Sequence, residues 1–521
     1  MAPMTHPLLP MKLTRSVFVL LAFFCGQTFG AEAAAAPLKI ERGVAQLFVD
    51  DFLIESQQDL KRTLHQPVKD HGGNEPVIAL EKEYGEFRGT LQANGTIVFD
   101  PRLKKYVMFA LGFTSHAPAT EAKDRVRIYR FTSPDGMKWS KGDDGTPQQI
   151  EIDRLHPETK ALTNTDLFSC CYDAKDAAHP YKGWLYFAHW GEELDGVYYV
   201  ESADGKKWER GAQIMRTQSR VIEQDGRTLR GPGDVTTLYH DTAANRFLGL
   251  IKFSSAIAAG PGNRLRSRGY VFTDRLDAPL DLTGLARVEL VPAAAATNGD
   301  QPHDEYYGST AWRYESVWLG GLKVWHGGGD YPYSAAGCAF LKLAVSRDGL
   351  HWKKVPFANE AGVPEVFIAN GADGGNGGRN DGGYLTEFSQ GPLRIGNELI
   401  YYYGCSSFGK NHPNETRVSG GGIFRARLRP DGFVSVDAGS LTTKPLQCEG
   451  DNLFVNGVGS IAVELLDGEG KALGSAKISG DSLRHQVVFS GESLRKLTRG
   501  DGVRLRFTVK DGGRLYSFAA R

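Results

Sequence analysis

The sequence predicts an all-β fold, a five-bladed β-propeller followed by a small β-sandwich. Three observations carry that prediction: a hairpin phrase recurring at a fixed spacing, the lack of any long amphipathic helical period, and 63 glycines with 24 prolines punctuating the chain.

The phrase is S-x-D-G-x-x-W. It reads Ser133-Pro-Asp135-Gly136-Met-Lys-Trp139, Ser202-Ala-Asp204-Gly205-Lys-Lys-Trp208 and Ser346-Arg-Asp348-Gly349-Leu-His-Trp352. An Asp-Gly pair suits a two-residue hairpin turn whose central residues both take positive φ, and each copy follows a strand-like run such as Arg127-Ile-Tyr-Arg-Phe131. Ser133 to Ser202 is 69 residues and Ser202 to Ser346 is 144, close to two units of 72. Degenerate copies fill the remaining places at Phe272-Thr-Asp274-Arg-Leu276 and Arg429-Pro-Asp431-Gly432-Phe433. Five units result, each long enough for a four-stranded blade with generous connections.

A second pattern divides the chain in the same way, a strand leading through a turn into an aromatic strand. It appears as Thr96 to Asp100 before Lys105 to Phe109, Leu167 to Asp173 before Gly183 to Phe187, and Val235 to Asp241 before Arg246 to Leu250. Gly308 to Tyr314 before Val317, and Gly391 to Ile395 before Glu398, complete the five. Beyond Val436 the beat shortens, and Ile461-Ala-Val-Glu-Leu465, Gln486 to Phe489, Val503 to Val509 and Leu515-Tyr-Ser-Phe518 read as sandwich strands. The expected organisation is therefore a signal peptide over 1–30, a propeller over 38–438 and a sandwich over 439–521.

The N-terminus predicts export from the cytoplasm. Lys12 and Arg15 precede the apolar run Val17 to Phe24, which breaks at Gly26 and reaches small residues at Gly30 and Ala31, the layout of a secretory signal peptide. The run is too short to span a bilayer. A secreted or periplasmic protein is expected. Lys plus Arg and Asp plus Glu both number 61, a balance that steers toward neither nucleic acid nor an anionic membrane, so a neutral polymer or small ligand fits better. Five cysteines follow the leader, Cys170, Cys171, Cys338, Cys405 and Cys448, with no metal-type spacing, so burial and not a disulfide framework must supply stability.

In a propeller the starts of the innermost strands surround one central funnel, and polar groups there converge from distant parts of the chain. Seven residues before the hairpin aspartates Asp173 and Asp241 stand Asp166 and Asp234; the matching first-blade position is Ala93, beside Asn94. The fourth blade opens His303-Asp304-Glu305-Tyr306 and the fifth Asp381 to Glu387. At least three blades thus send a carboxylate toward the axis. Arg88, Arg230, His303, Asp304, Trp190 and Glu387 lie near strand ends as candidate substrate-binding groups, whereas Trp139, Trp208 and Trp352 recur with the fold and read as core. The glycine-rich stretch from Gly371 to Gly383 matches no phosphate or calcium repeat and reads as a mobile loop over the funnel; its Asp373 and Asp381 are the candidates for a structural cation such as calcium, and no cofactor is expected.

The five-unit layout, the S-x-D-G-x-x-W hairpins and the trailing Leu515-Tyr-Ser-Phe518 resemble the five-bladed glycoside hydrolases, the invertase and fructanase group and the arabinanase and xylosidase group. The opening Leu47-Phe-Val-Asp50-Asp51-Phe-Leu-Ile54 is similar to exported bacterial proteins of that kind. The resemblance implies one carboxylate on each of the first three blades, one of them the acid that protonates the leaving oxygen. This chain lacks the Asn-Asp-Pro-Asn-Gly signature and the first-blade carboxylate, so the expectation moves the work to Asp166 and Asp234 as base and orienting groups and Glu305 or Asp304 as acid. An exo-acting glycosidase on an oligosaccharide or polysaccharide end is the leading expectation. Two alternatives stand beside it: a non-catalytic carbohydrate-binding or scaffold propeller, and a sialidase-like hydrolase suggested by the kinship of the hairpin phrase to the aspartate box.

Overall fold

The computed structural model describes residues 36–521 apart from 80–86, 94, 115–125, 143–144, 161, 163, 189, 192, 218–219, 257–263, 283–288, 291–298, 302–303, 328–336, 387–389, 411–420, 490–492, 501 and 511. Asn94, His303, Glu387 and the signal-peptide region therefore lie outside the described residues, as does the side chain of Arg88 in the strand Phe87–Gln92. Residues 37–521 form one compact unit. Among the described residues no helix is long and apolar enough to cross a membrane.

Five sheets of five strands each make the propeller. The first blade is built on Ile97–Asp100, Lys105–Thr114 and Val126–Ser133, the second on Asn164–Tyr172, Tyr181–Ala188, Gly196–Ser202 and Lys207–Arg216. The third uses Thr237–Asp241, Arg246–Ala256 and Arg264–Thr273 with an added hairpin, Arg220–Gln224 and Arg227–Gly231; the fourth uses Asp304–Tyr314, Val317–Gly327 and Gly337–Ser346. The fifth, Leu393–Ile395, Glu398–Cys405 and Gly422–Leu428, is completed by Val68–Lys69 and Ile78–Ala79 from the other end of the chain. That exchange ties the first and last blades together and gives the last blade's edge a partner.

The hairpin phrase works as a staple between blades. Ser133, Ser202 and Ser346 each accept the N–H of the box glycine through Oγ, at 2.9, 2.9 and 2.8 Å. Oδ1 of Asp135 accepts from the N–H groups of Met137 and Lys138, both at 2.8 Å, and Asp204 and Asp348 repeat this. Only the glycines take positive φ, +71°, +71° and +84°, so the expected turn with two left-handed residues is replaced by one that the aspartate side chain closes. Each tryptophan then packs on an aromatic ring of the preceding blade: Trp139 on Tyr402, Trp208 on Phe109 and Trp352 on Tyr270, with centroids 5.5, 5.5 and 4.8 Å apart. Trp208 and Trp352 are buried and Trp139 is half-buried. The degenerate copies do the same work with other atoms. Leu276 is buried and its carbonyl accepts the indole N–H of Trp184 in the second blade, while Asp431 accepts the Tyr314 hydroxyl of the fourth at 2.8 Å.

Behind the blades lies a nine-stranded sheet with the core of a sandwich. Val434–Thr443 runs through the 438/439 division expected from the sequence; its first half pairs with Arg514–Ala520 and its second with Arg504–Val509, so the sheet folds over on itself. Phe507 and Phe518, one from each half, meet at 5.6 Å and share a core with Phe48, Val463, Leu505 and Leu515. Two N-terminal strands, Gln46–Leu47 and Ile54–Leu64, also join this sheet. The turn between them carries Asp50, which is buried and receives Arg347 of the fourth-blade hairpin at 2.6 Å.

All five cysteines after the leader are free and buried. Cys170 and Cys171 are sequence neighbours on one strand and enter different core clusters, as the alternation of a strand requires. The glycine-rich stretch is fastened instead of mobile: Gly371 N–H donates to Asp381, Gly377 N–H to Ser407 and Gly383 N–H to Ser406, and Arg379 reaches the Gly72 carbonyl at 2.8 Å. Asp381 is taken by Lys69 and by the Tyr403 hydroxyl, and Asp373 accepts the N–H groups of Asn376 and Gly378 inside its own loop.

Candidate active site

Around the axis the inner strands are laced by hydrogen bonds from blade to blade. Ser169 receives the Leu238 N–H at 3.1 Å, and the Thr237 hydroxyl reaches the Ser309 carbonyl at 2.6 Å. Gln390 donates to the Gly95 carbonyl at 2.8 Å. Arg268, fully buried, spans three groups at once, Ser309 Oγ, Val235 O and Leu250 O, at 2.8 to 3.0 Å, and fixes the third blade against the fourth. Above this lacing, Leu167, Val235, Tyr307, Trp325, Ala339 and Tyr384 from four different blades form a buried apolar floor.

Three carboxylates stand on that floor. The pairing register of Asn164–Tyr172 slips between Thr165 and Phe168, a bulge that takes Asp166 out of the ladder. A second slip between Tyr306 and Gly308 does the same for Tyr307. Asp234 precedes Thr237–Asp241, and Glu305 opens the inner strand of the fourth blade. All three surround one residue. Lys252, on the second strand of the third blade, forms an ion pair with Asp234 and lies within electrostatic reach of Asp166 and Glu305. Gly233 makes room for it: a Cβ there would collide with Lys252 Cε.

The environments of the three acids differ. Glu305 is buried and bonded to Arg266 Nη1 at 2.6 Å; burial pushes its carboxyl above the ordinary range, with Arg266 pulling the other way. Burial pushes Asp166 up as well, opposed by Lys252, Lys410 and Lys323, and among the described residues Asp166 makes no ion pair. Asp234 keeps 29% of its side chain exposed while holding Lys252. Burial and the nearby Arg266 in turn push the Lys252 ammonium well below its usual value.

Of the remaining candidates, Asp304 is not at the axis. It neighbours Glu305 on a strand and so points to the opposite face, where it holds His326 Nδ1 at 2.7 Å and the Gln301 N–H at 2.8 Å. Trp190 is core: it is buried, stacks on Phe187 at 4.6 Å, and carries Arg210 on its ring at 4.8 Å. Arg230 stands exposed on the added hairpin, opposite Ser254, and among the described residues makes no contact with the Lys252 group.

The site also contains residues that strand starts do not reveal. Lys252 and Lys323 sit on second strands, Arg266 on a third, and Lys410 bridges to Gly337 beyond the end of another. Lys410 Nζ donates to the Tyr307 hydroxyl at 2.7 Å and Lys323 Nζ to the Tyr384 hydroxyl at 2.7 Å. Burial alone would raise the Tyr307 phenol, but Lys410 and Arg266 outweigh it and hold it below its ordinary range. The signal that finds these lysines is a lone cation inside an apolar strand, as in Leu250-Ile-Lys252-Phe253 and Leu322-Lys323-Val324.

No family model matches the chain, and no curated protein does. Among solved structures, Zg3597, a family 117 glycoside hydrolase of the marine bacterium Zobellia galactanivorans, is similar at a TM-score of 0.39 and 11% identity, over 70% of this chain and 89% of that one. A family 43 arabinoxylan arabinofuranohydrolase from Bacillus subtilis is similar at 0.35 and 12%, over 86% and 99%. A putative glycoside hydrolase from Parabacteroides distasonis is similar at 0.38 and 15%, over 70% and 96%. Function has to be argued from the site itself.

Proposed function

We propose that this protein is an exo-acting glycoside hydrolase that cleaves its carbohydrate in the central funnel. The observation that carries the reading is the approach of three carboxylates from three successive blades, Asp166, Asp234 and Glu305, to Lys252. Glycoside cleavage needs one carboxyl that holds a proton and a second that stays ionised, and pairs of acids pushed apart by their surroundings meet that need.

The surroundings redistribute the roles expected from sequence. Glu305 is raised by burial but tied to the Arg266 guanidinium, which fixes its orientation, so it is assigned the orienting role and not that of the acid. Asp166, raised by burial and without an ion-pair partner among the described residues, is the proton donor. Asp234, ion-paired and solvent-accessible, is the base or nucleophile. The fastened stretch from Gly371 to Gly383 leads into Tyr384 of the apolar floor, and the exo-acting part of the reading takes it as a wall that confines the site to a chain end. Export through the 1–30 leader, into the periplasm or the medium, completes the reading and is checked by N-terminal sequencing of the exported protein.

The test is turnover on a panel of chromogenic glycosides and polysaccharides. Asp166→Asn and Asp234→Asn each lower kcat by about 10²–10⁴-fold with an unchanged melting temperature. Wild-type activity in both variants overturns the assignment.

A further inference from the structure

We propose that the wedge between the first and second blades holds an anion site, in which the buried guanidinium of Arg130, flanked by Lys105 and Lys206, takes a tetrahedral oxyanion, sulfate or phosphate. The site is separate from the funnel and does not depend on the glycosidase reading. Asp100 and Lys105 flank the turn at the end of an inner strand, whereas Asp166 and Glu305 stand at the starts of theirs, so the two sites lie at opposite ends of the blades.

The face that the first blade turns to the second is apolar at Val107, Phe109 and Ile128, which share a core with Phe168, Tyr181 and Trp208. Strand alternation puts Lys105, Arg130 and Thr132 on that same face, where apolar side chains would serve for packing alone. There the blades part around a cavity of about 550 Å³, lined also by Ala203, Asp204 and Lys206 of the second-blade hairpin. A volume of this size matches small-ligand sites. The Arg102 guanidinium crosses it to the Ala203 carbonyl at 2.8 Å and pins the two hairpins that frame it.

Arg130 decides the chemistry. It is only 6% exposed, and its Nη1 donates to Gln148 Oε1 at 3.1 Å, while its Nε is buried and meets no acceptor among the described residues. A buried donor left without an acceptor is costly to keep, and an oxyanion supplies one with charge to match. The two carboxylates that line the cavity are already engaged. Asp100 accepts from the N–H groups of Arg102 and Leu103, from the Arg102 guanidinium and from the Tyr181 hydroxyl. Asp204 accepts from the N–H groups of Lys206 and Lys207 and from the Ser202 hydroxyl. Lys105, half-buried, and Lys206, exposed, make no ion pair among the described residues. Cations from two blades thus line one cavity, which suits an anion with acceptor oxygens on several sides.

Calorimetric titration of the full mature chain at low chloride tests the proposal with three probes: inorganic sulfate, inorganic phosphate and a sulfated oligosaccharide. At least one binds saturably, and the binding weakens as ionic strength rises. The surface double variant Lys105→Ala/Lys206→Ala keeps the wild-type melting temperature and lowers that affinity at least about tenfold. Arg130→Met abolishes the binding; should that variant fail to fold, the lysine pair decides alone. Tighter binding of the sulfated sugar than of inorganic sulfate assigns the anion to a glycan chain, and equal affinity assigns it to the free ion. No saturable binding of any probe, or undiminished affinity in the double variant, overturns the proposal. Binding that persists when no glycoside is cleaved keeps this site and removes the glycosidase; turnover without anion binding does the reverse.

Discussion

Two buried lysine clusters in this molecule use the same residue types to opposite ends. On the flank of the fourth blade, Lys342 is fully buried and bonded to Asp300 at 2.7 Å, Glu365 at 3.0 Å and the Gly299 carbonyl at 2.7 Å. Lys354 joins the same two carboxylates, and the Tyr306 hydroxyl donates to Asp300 at 2.7 Å. Two cations face two carboxylates and the polar contacts close within the protein. At the axis, Lys252 and Arg266 pair with Asp234 and Glu305, while Lys410 and Lys323 donate to the hydroxyls of Tyr307 and Tyr384. The first cluster pairs its lysines with carboxylates and a backbone carbonyl; the second sets cations against phenols and an aromatic floor as well, the setting in which perturbed groups mark a functional site. The contrast separates structural lysines from functional ones where burial alone does not.

The comparison is broken most severely by removing one lysine from each cluster. Lys342→Met leaves two buried carboxylates short of a partner and lowers stability by about 3–5 kcal/mol, read as a fall in melting temperature, while turnover per folded molecule is unchanged. Lys252→Met removes a cation from a crowd of cations, so it costs less stability than Lys342→Met and yet abolishes turnover. Equal stability losses in the two variants would erase the distinction.

A tryptophan pair sharpens it next. Trp208→Ala and Trp190→Ala both empty core volume and each costs about 3–5 kcal/mol in denaturant unfolding. Neither changes KM for any sugar, because neither ring lines the funnel; a raised KM in Trp190→Ala would return that residue to the substrate site. The smallest effect belongs to the hairpin staples. The N–H groups of Lys138 and Met137 and the Ser133 hydroxyl hold the Asp135 carboxyl at about 2, below the value near 3.9 expected when unfolded. Its folded value is depressed, so its contribution is present in full above the unfolded value and fades as pH falls toward 2. Asp135→Ala should therefore reduce stability at pH 7 and leave it nearly unaltered at pH 2.

Much of this architecture was legible in the sequence because it is built from local signals. The boxes at Ser133, Ser202 and Ser346 announce their hairpins, and the register from Asp173 and Asp241 leads to Asp166 and Asp234, both of which approach Lys252. What stayed hidden depends on contacts between distant segments. Ile54–Leu64 alternates poorly and carries mostly polar residues, so nothing local places it beside Val434–Thr443, nor Val68–Lys69 in the fifth blade. Trp190 sits near a strand end like a binding residue, and only its packing on Phe187 shows that it faces inward. Lys252, Lys323 and Arg266 come from second and third strands, brought beside the inner strands by antiparallel pairing, which strand starts alone do not reveal.

The most direct measurement is a crystal structure of the Asp166→Asn chain soaked with an oligosaccharide that the wild type cleaves. A sugar ring seated on Tyr307 and Tyr384, with its scissile oxygen within hydrogen-bond reach of residue 166 and its anomeric carbon toward Asp234, is the predicted result. Density for the sugar on another face of the molecule, or a funnel in which Asp234 and Glu305 turn away from the bound ring, would contradict it.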